Sequence, residues 1–226
     1  MGSASMISSR RAFLRSAASI AVVSGAGALL AQPVFASAGK DSAPPPHHDL
    51  VDTVPGKKSP NGWSINTAAN SGGSVWTRPV PGTAFNVDVA IGEVEIVLVH
   101  VIRRFHYEID TLRPGDVVGF RAASLRRGYE LNHASGTAID IRPGHYPPGV
   151  RNGFYPHEVA VIHDILAECE GVVSWGGNFS YPDEAHFAIG VPPTDERMRR
   201  VTSKIRGWNS APGAGAGVIQ DLKVSS

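Results

Sequence analysis

Two short, well-separated segments carry the polar side chains that most constrain how this chain can fold. Residues 132–140 read NHASGTAID, and the later segment reads WGG at 175–177 and DEAHF at 183–187. Together they supply two histidines, an aspartate able to bind metal and a spare carboxylate. Three nitrogen and oxygen ligands with one open position let zinc bind water and lower its pKa to about 7. The chain must therefore bring the two segments together, and their residues indicate a hydrolase.

Side-chain alternation predicts how the first segment is arranged. If it is extended, Ile139 and Ile141 face the core, and Asp140 points into a cleft on the opposite face. His133 precedes Asp140 by seven residues, which in a straight strand is about 23 Å at about 3.3 Å per residue. The chain must therefore curl back, and the small residues in between permit such a turn. His186 must then begin a neighbouring strand.

Apolar spacing predicts the remaining elements. Valine and isoleucine are frequent in residues 92–112, but the apolar positions recur at intervals of three and four, which favours a helix over a strand. Two more helices are predicted at 156–170 and 194–208, with short strands at 116–121, 136–142, 172–175 and 186–191. The expected fold is α+β, a small antiparallel sheet with helices packed on one face and the zinc site in the sheet cleft.

The N-terminal segment predicts export. Residues 9–15, SRRAFLR, precede an uncharged apolar run at 17–30 and the small-x-small sequence ASA at 36–38, which is typical of a signal-peptidase site. The paired arginines resemble a twin-arginine export signal. The run is shorter than the roughly 20 residues that span a bilayer. We therefore expect cleavage and release to the cell wall or periplasm, with an uncleaved membrane anchor as the alternative.

Removal of a signal peptide at residues 1–38 would change the net charge. The segment holds Arg10, Arg11 and Arg15 and no acidic residue, so 21 basic residues against 20 acidic ones become 18 against 20, a net charge near −2. No basic field for nucleic acid remains.

The remaining chain is expected to form one domain. A flexible tether is predicted at 39–60, a single folded domain that carries the zinc site at 61–208 and a flexible tail at 209–226. We expect this domain to be a monomer with one zinc ion and no stable membrane span. The single cysteine, Cys169, excludes an internal disulfide and is more typical of a buried, inert thiol than of a nucleophile.

The combined motif resembles a known peptidase family. His-x6-Asp within NHASGTAID, followed by WGG and Asp-x-x-His-Phe, is similar to the zinc D,D-carboxypeptidases and L,D-endopeptidases that cleave peptidoglycan stem peptides. This family includes vancomycin-resistance carboxypeptidases and many phage endolysins. The resemblance covers residues 92–191. Residues 62–90 match nothing in the family, and Asn132 stands directly before the first histidine, where the usual serine could not be placed.

The resemblance implies a role for each site residue. His133, Asp140 and His186 would bind zinc, and Asp183, three residues before the last histidine, would be the general base. Arg121, in the pair Phe120-Arg121, would hold a substrate carbonyl or carboxylate.

Several of these assignments have competitors. Alternation alone would put Glu184, rather than Asp183, on the face of His186, but Pro182 cannot donate to a strand ladder and makes regular pairing there doubtful. The resemblance selects Asp183. Arg126, Arg127 and Arg142 compete with Arg121 for the substrate-binding role. His145 either lines the cleft or belongs to a loop without a role. Trp175 either forms a wall of the site or packs in the core.

The sequence therefore predicts an exported zinc metallopeptidase that acts on peptidoglycan stem peptides, as a D-Ala-D-Ala carboxypeptidase or an L-Ala-D-Glu-type endopeptidase. The loops that flank the cleft decide between these two activities. One alternative is a secreted wall-binding domain that keeps the peptidase fold without turnover, although such a domain has no use for the spare acid. Another is a zinc hydrolase that acts on a different amide.

Overall fold

The computed structural model describes residues 58–211, so the predicted signal peptide and most of the predicted tether and tail lie outside the described residues. The elements within this range are β1 (Val75–Pro79), β2 (Asn86–Ala90), α1 (Glu93–Glu108), β3 (Val117–Val118), β4 (Ala138–Ile141), α2 (Pro156–Glu168), β5 (Val173–Trp175), β6 (His186–Ile189) and α3 (Glu196–Ser210). None of the helices in this range has the length and apolar character needed to cross a bilayer.

The strands form two antiparallel sheets. The larger has the order β3-β4-β6-β5, and β1 pairs with β2 in a separate hairpin. In the larger sheet Asp140 lies opposite His186, and Ile139 lies opposite Phe187. The predicted α+β class with a small antiparallel sheet is confirmed.

The core lies between the larger sheet and the helices. The apolar positions of α1 that recur at three and four are buried, namely Val94, Val97, Leu98, Val101, Ile102 and Phe105. They form one cluster with Ile139 and Ile141 of β4, and α1 also packs against α2 and α3. Because alternate residues of β4 point to opposite faces, Asp140 lies on the face turned away from this core.

Ion pairs of a buried arginine join α1 to α2. Arg104, only 6% exposed, donates to Asp164 at 2.7 Å and contacts Glu168 and Glu108. Burial alone would lower the pKa of Arg104, but these carboxylates outweigh it and raise the pKa above its usual range. Cys169 follows α2, is fully buried and has a thiol pKa raised to about 12 by burial, which agrees with the predicted inert thiol.

The segment without a counterpart in the family, 62–90, contains the hairpin and packs against the turn that precedes β4. The N–H of Ala90 donates to the carbonyl of Gly136 at 2.9 Å. Gly136 has φ +67°, and a Cβ there would lie 2.6 Å from the Ala90 nitrogen. Glycine is therefore required by both conformation and space.

A second part of the N-terminal region connects β4 and β6. The Asn61 amide donates to the Thr137 hydroxyl at 2.7 Å and to the Ile189 carbonyl at 2.8 Å. The N–H of Asn66 donates to the Ala134 carbonyl at 2.8 Å. Residues 59–66 are therefore hydrogen-bonded to both of the segments that carry the histidines.

Candidate metal centre

The predicted zinc ligands meet at one end of the larger sheet. His133 lies in a short 3-10 helix, Gly128–Ser135, Asp140 lies in β4, and His186 begins β6. Their candidate ligand atoms all lie within 4.8 Å of one another, and all three residues are buried. Asp140 Oδ1 is 3.1 Å from His133 Nε2 and 2.9 Å from His186 Nδ1. Antiparallel pairing explains one side of this arrangement, because Asp140 and His186 are direct cross-strand partners.

A tight turn explains how His133 returns to the strand. After the 3-10 helix, Gly136 takes the left-handed conformation and its N–H donates to the His133 carbonyl at 3.0 Å. The carbonyl of Asn132 accepts from the Thr137 N–H at 3.0 Å and from the Ser135 hydroxyl at 2.9 Å. These bonds fix the turn that the sequence required between His133 and Asp140.

The hydrogen-bonding pattern of His133 favours a cation beside its Nε2 atom. A carbonyl can only accept, so the 2.6 Å contact with the Gly119 carbonyl places a proton on His133 Nδ1. In the neutral ring, Nε2 then presents a lone pair to the Asp140 carboxylate, and two acceptors face each other. A positive ion between them removes this repulsion. A backbone carbonyl bonded to the far ring nitrogen is also the usual support of a metal-binding histidine.

The donor set fits zinc. Tetrahedral zinc with bonds of about 2.0–2.1 Å places neighbouring ligand atoms about 3.3 Å apart, close to the two observed separations. His186 Nε2 is buried and has no hydrogen-bond partner among the described residues. The ring makes its polar contact through Nδ1, which faces Asp140. Burial alone would raise the pKa of Asp140, but hydrogen bonds from His133 and His186 in their protonated forms outweigh it and hold the pKa well below its usual range. Asp140 is therefore ionised, as a carboxylate that binds a metal must be.

Arg121 also reaches the cluster. Its Nη1 lies 2.6 Å from Asp140 Oδ2, and its side chain is 22% exposed. Two competing arginines are paired elsewhere, Arg126 with Glu130 at 2.8 Å and Arg142 with Asp110. In the described residues, Arg121 thus combines a contact to the cluster with access from solvent.

The two candidate acids have different surroundings. Both oxygens of Glu184 accept backbone N–H groups, from Asn152 at 2.8 Å and from Gly153 at 2.8 Å. Asp183 Oδ2 instead accepts a hydrogen bond from the Tyr129 hydroxyl at 3.0 Å. Burial, with the nearby Asp140 charge adding to it, raises the pKa of Asp183 although Tyr129 opposes the shift. Regular pairing of β6 starts only at His186, so alternation does not extend back to these acids.

The remaining candidates lie outside the cluster. His145, His157 and His163 are exposed. Trp175 is 5% exposed and packs in the core, and its indole N–H donates to the Glu184 carbonyl at 2.8 Å.

A family model described as D-alanyl-D-alanine carboxypeptidase matches residues 127–189. The predicted resemblance to the zinc D,D-carboxypeptidase family is confirmed. The matched segment contains the whole His-Asp-His cluster and Asp183, whereas Arg121 precedes it. It supports a peptidoglycan-acting metallopeptidase in general. No curated protein and no solved structure matches the chain.

Sequence reasoning missed Tyr129. Its ring centroid lies 4.8 Å from that of His186 and 5.1 Å from that of Phe179. Burial and the neighbouring Asp183 raise the pKa of Tyr129 above its usual range, so its hydroxyl remains a donor. No spacing rule identified it, because Tyr129 lies four residues before His133 in a 3-10 helix, in which residues three apart share a face.

Proposed function

We propose that this peptidase of the D,D-carboxypeptidase family uses zinc to hydrolyse a peptide bond in the stem peptide of peptidoglycan. The supporting observation is the buried cluster of His133, Asp140 and His186 inside the family match, with a carboxylate of raised pKa nearby. A domain that only bound the cell wall would not need such an acid.

The three cluster residues would hold the zinc. When bound, zinc supplies a Lewis acid for the scissile carbonyl and lowers the pKa of water to about 7. The Gly119 carbonyl bonded to His133 and the pairing of Asp140 with His186 would hold these ligands in place.

Asp183 is the proposed general base. It would accept a proton from the attacking water and deliver that proton to the leaving amine. Its raised pKa makes this carboxylate a stronger base than an ordinary aspartate, which favours uptake of the proton from water. Glu184 is a poor candidate because both of its oxygens already accept backbone N–H groups.

Arg121 is the proposed electrophilic partner. Its guanidinium borders the cluster and is partly exposed, so a donor that points away from Asp140 could hold a developing oxyanion or a terminal carboxylate. These two ligands correspond to the two forms of activity, since only a carboxypeptidase meets a terminal carboxylate beside the bond it cleaves. We propose D-Ala-D-Ala carboxypeptidase activity first, because the matching family model carries that description.

Digestion of purified peptidoglycan tests this proposal. The chain is incubated with the polymer, with and without a chelator, and the products are assigned by mass. We expect loss of one terminal D-Ala, abolished by the chelator and restored by added zinc. Separation of the stem peptide from glycan-bound Ala would identify an endopeptidase instead. Zinc binding without any mass change would identify a wall-binding domain and overturn the proposal.

We further propose that the protein is exported through a twin-arginine signal, on the basis of residues 9–38. The expected result is a secreted chain that begins at Gly39, measured by intact mass. Replacement of Arg10 and Arg11 by lysine should retain the protein inside the cell. A secreted chain that keeps the arginine pair would contradict the cleavage site.

A further inference from the structure

We propose that Tyr129 is a positioning residue that orients the Asp183 carboxylate for proton transfer. The inference rests on the proposed function, because it assumes that Asp183 is the base. Its basis is the 3.0 Å hydrogen bond from the Tyr129 hydroxyl to Asp183 Oδ2.

The phenol is itself held in place. Tyr129 belongs to the same 3-10 helix as His133, so the helix that supplies one ligand also supplies the donor to the base. Its ring meets the His186 ring edge-on at 4.8 Å and packs against Phe179 at 5.1 Å. Such contacts restrict rotation of the ring about its first side-chain torsion. The hydroxyl is therefore a fixed donor.

The bond selects one oxygen of the base. A carboxylate rotates readily about its terminal torsion, which has a broad energy profile. With Oδ2 held by the phenol, Oδ1 is the oxygen available to accept a proton. The backbone of Asp183 is fixed as well, since its N–H donates to the Gly176 carbonyl at 2.9 Å. Tyr129 therefore sets the direction from which Asp183 meets water.

A purely structural role makes a different prediction. If Tyr129 only packed against His186, its hydroxyl would contribute nothing, and phenylalanine would serve equally well. If the hydroxyl acts through Asp183, its removal should lower turnover without changing metal content or substrate binding. The effect should also vanish when the carboxylate is absent.

The test compares Tyr129→Phe with the parent on soluble muropeptides, released from peptidoglycan by a glycosidase, that contain both candidate bonds. We expect kcat to fall roughly tenfold, the scale of one hydrogen bond to a charged group, with KM within about twofold. Zinc content and the circular dichroism spectrum should match those of the parent. In an Asp183→Ala background, Tyr129→Phe should cause no further loss of kcat.

The matched control is Tyr181→Phe, which removes a hydroxyl from an exposed tyrosine in the same loop as Asp183 and should leave kcat unchanged. The proposal is overturned if Tyr129→Phe keeps the parent kcat, if it loses zinc in proportion to activity, or if it still lowers kcat in the Asp183→Ala background. A parent chain that cleaves no muropeptide would instead overturn the proposed function, and this inference with it.

Discussion

Replacement of His133 or His186 by alanine is expected to remove most of the zinc from the protein and to reduce hydrolysis to background. Each change deletes one of the three proposed ligands, whose side chains are all buried. Asp140→Asn should also weaken zinc binding, because it replaces an anionic oxygen by a neutral one. Elemental analysis of the purified variants measures the metal, and circular dichroism checks that each has folded.

His157→Ala is the matched control for the ligand variants. His157 is an exposed histidine on α2, so this change tests the loss of an imidazole without touching the cluster. It should keep the zinc content and the activity of the parent. Undiminished zinc in the His133, Asp140 and His186 variants would contradict the ligand assignment.

The zinc content should also depend on pH. A histidine binds zinc only in its neutral form, so protons compete with the metal, and the zinc content should fall below about pH 6. The pKa of Asp140 is held well below its usual range, so protonation of this carboxylate does not contribute to the loss. The loss is therefore expected on acidification and should be absent at higher pH. Equilibrium dialysis across this range measures it.

The family resemblance implied which residues form the cluster, and part of the geometry that joins them is local. The turn that returns His133 to β4 is fixed by small residues and Gly136 within the same motif. Alternation in β4 correctly separates Asp140 from Ile139 and Ile141. The pairing of Asp140 with His186 joins residues that are distant in the sequence. Both lie in short strands, and each strand needs a neighbour, which limits the possible pairings.

Contacts between distant segments account for what the sequence did not predict. The expected strand at 116–121 is reduced to Val117–Val118, because Gly119 and Phe120 turn toward β2. The Phe120 N–H donates to the Asp88 carbonyl at 2.8 Å, and a Cβ on Gly119 would lie 2.1 Å from that carbonyl oxygen. The same turn exposes the Gly119 carbonyl to His133. The apolar pattern within residues 116–121 does not predict these contacts with distant segments.

The hairpin itself was missed for a related reason. In β1, Val75 is fully buried, but three of its other four residues are exposed, so the strand lacks the regular alternation that would identify it. Its pairing depends on β2, which alternates more clearly. Residues 62–90 thus support the turn between His133 and Asp140, although they match nothing in the family.

Asp183→Asn is expected to keep the fold and the zinc while lowering turnover by on the order of 10² or more, the usual scale for a general base. Asparagine can still accept the hydrogen bond from Tyr129 through its carbonyl oxygen, so local packing should be preserved. What is lost is a group that can take a proton. The measurement is kcat on soluble muropeptides at matched zinc content.

Glu184→Gln provides the contrast, because it changes the neighbouring acid by the same chemical step. Its two oxygens both accept backbone N–H groups, and glutamine can replace only one of them, so its NH₂ group must face another donor. The expected result is a stability loss of about 1–3 kcal/mol with turnover within a few-fold of the parent. Asp183→Asn should thus lose activity at normal stability, and Glu184→Gln should lose stability at near-normal activity. The reverse pattern would identify Glu184 as the base, and would require its carboxylate to leave the two N–H groups and turn toward His186.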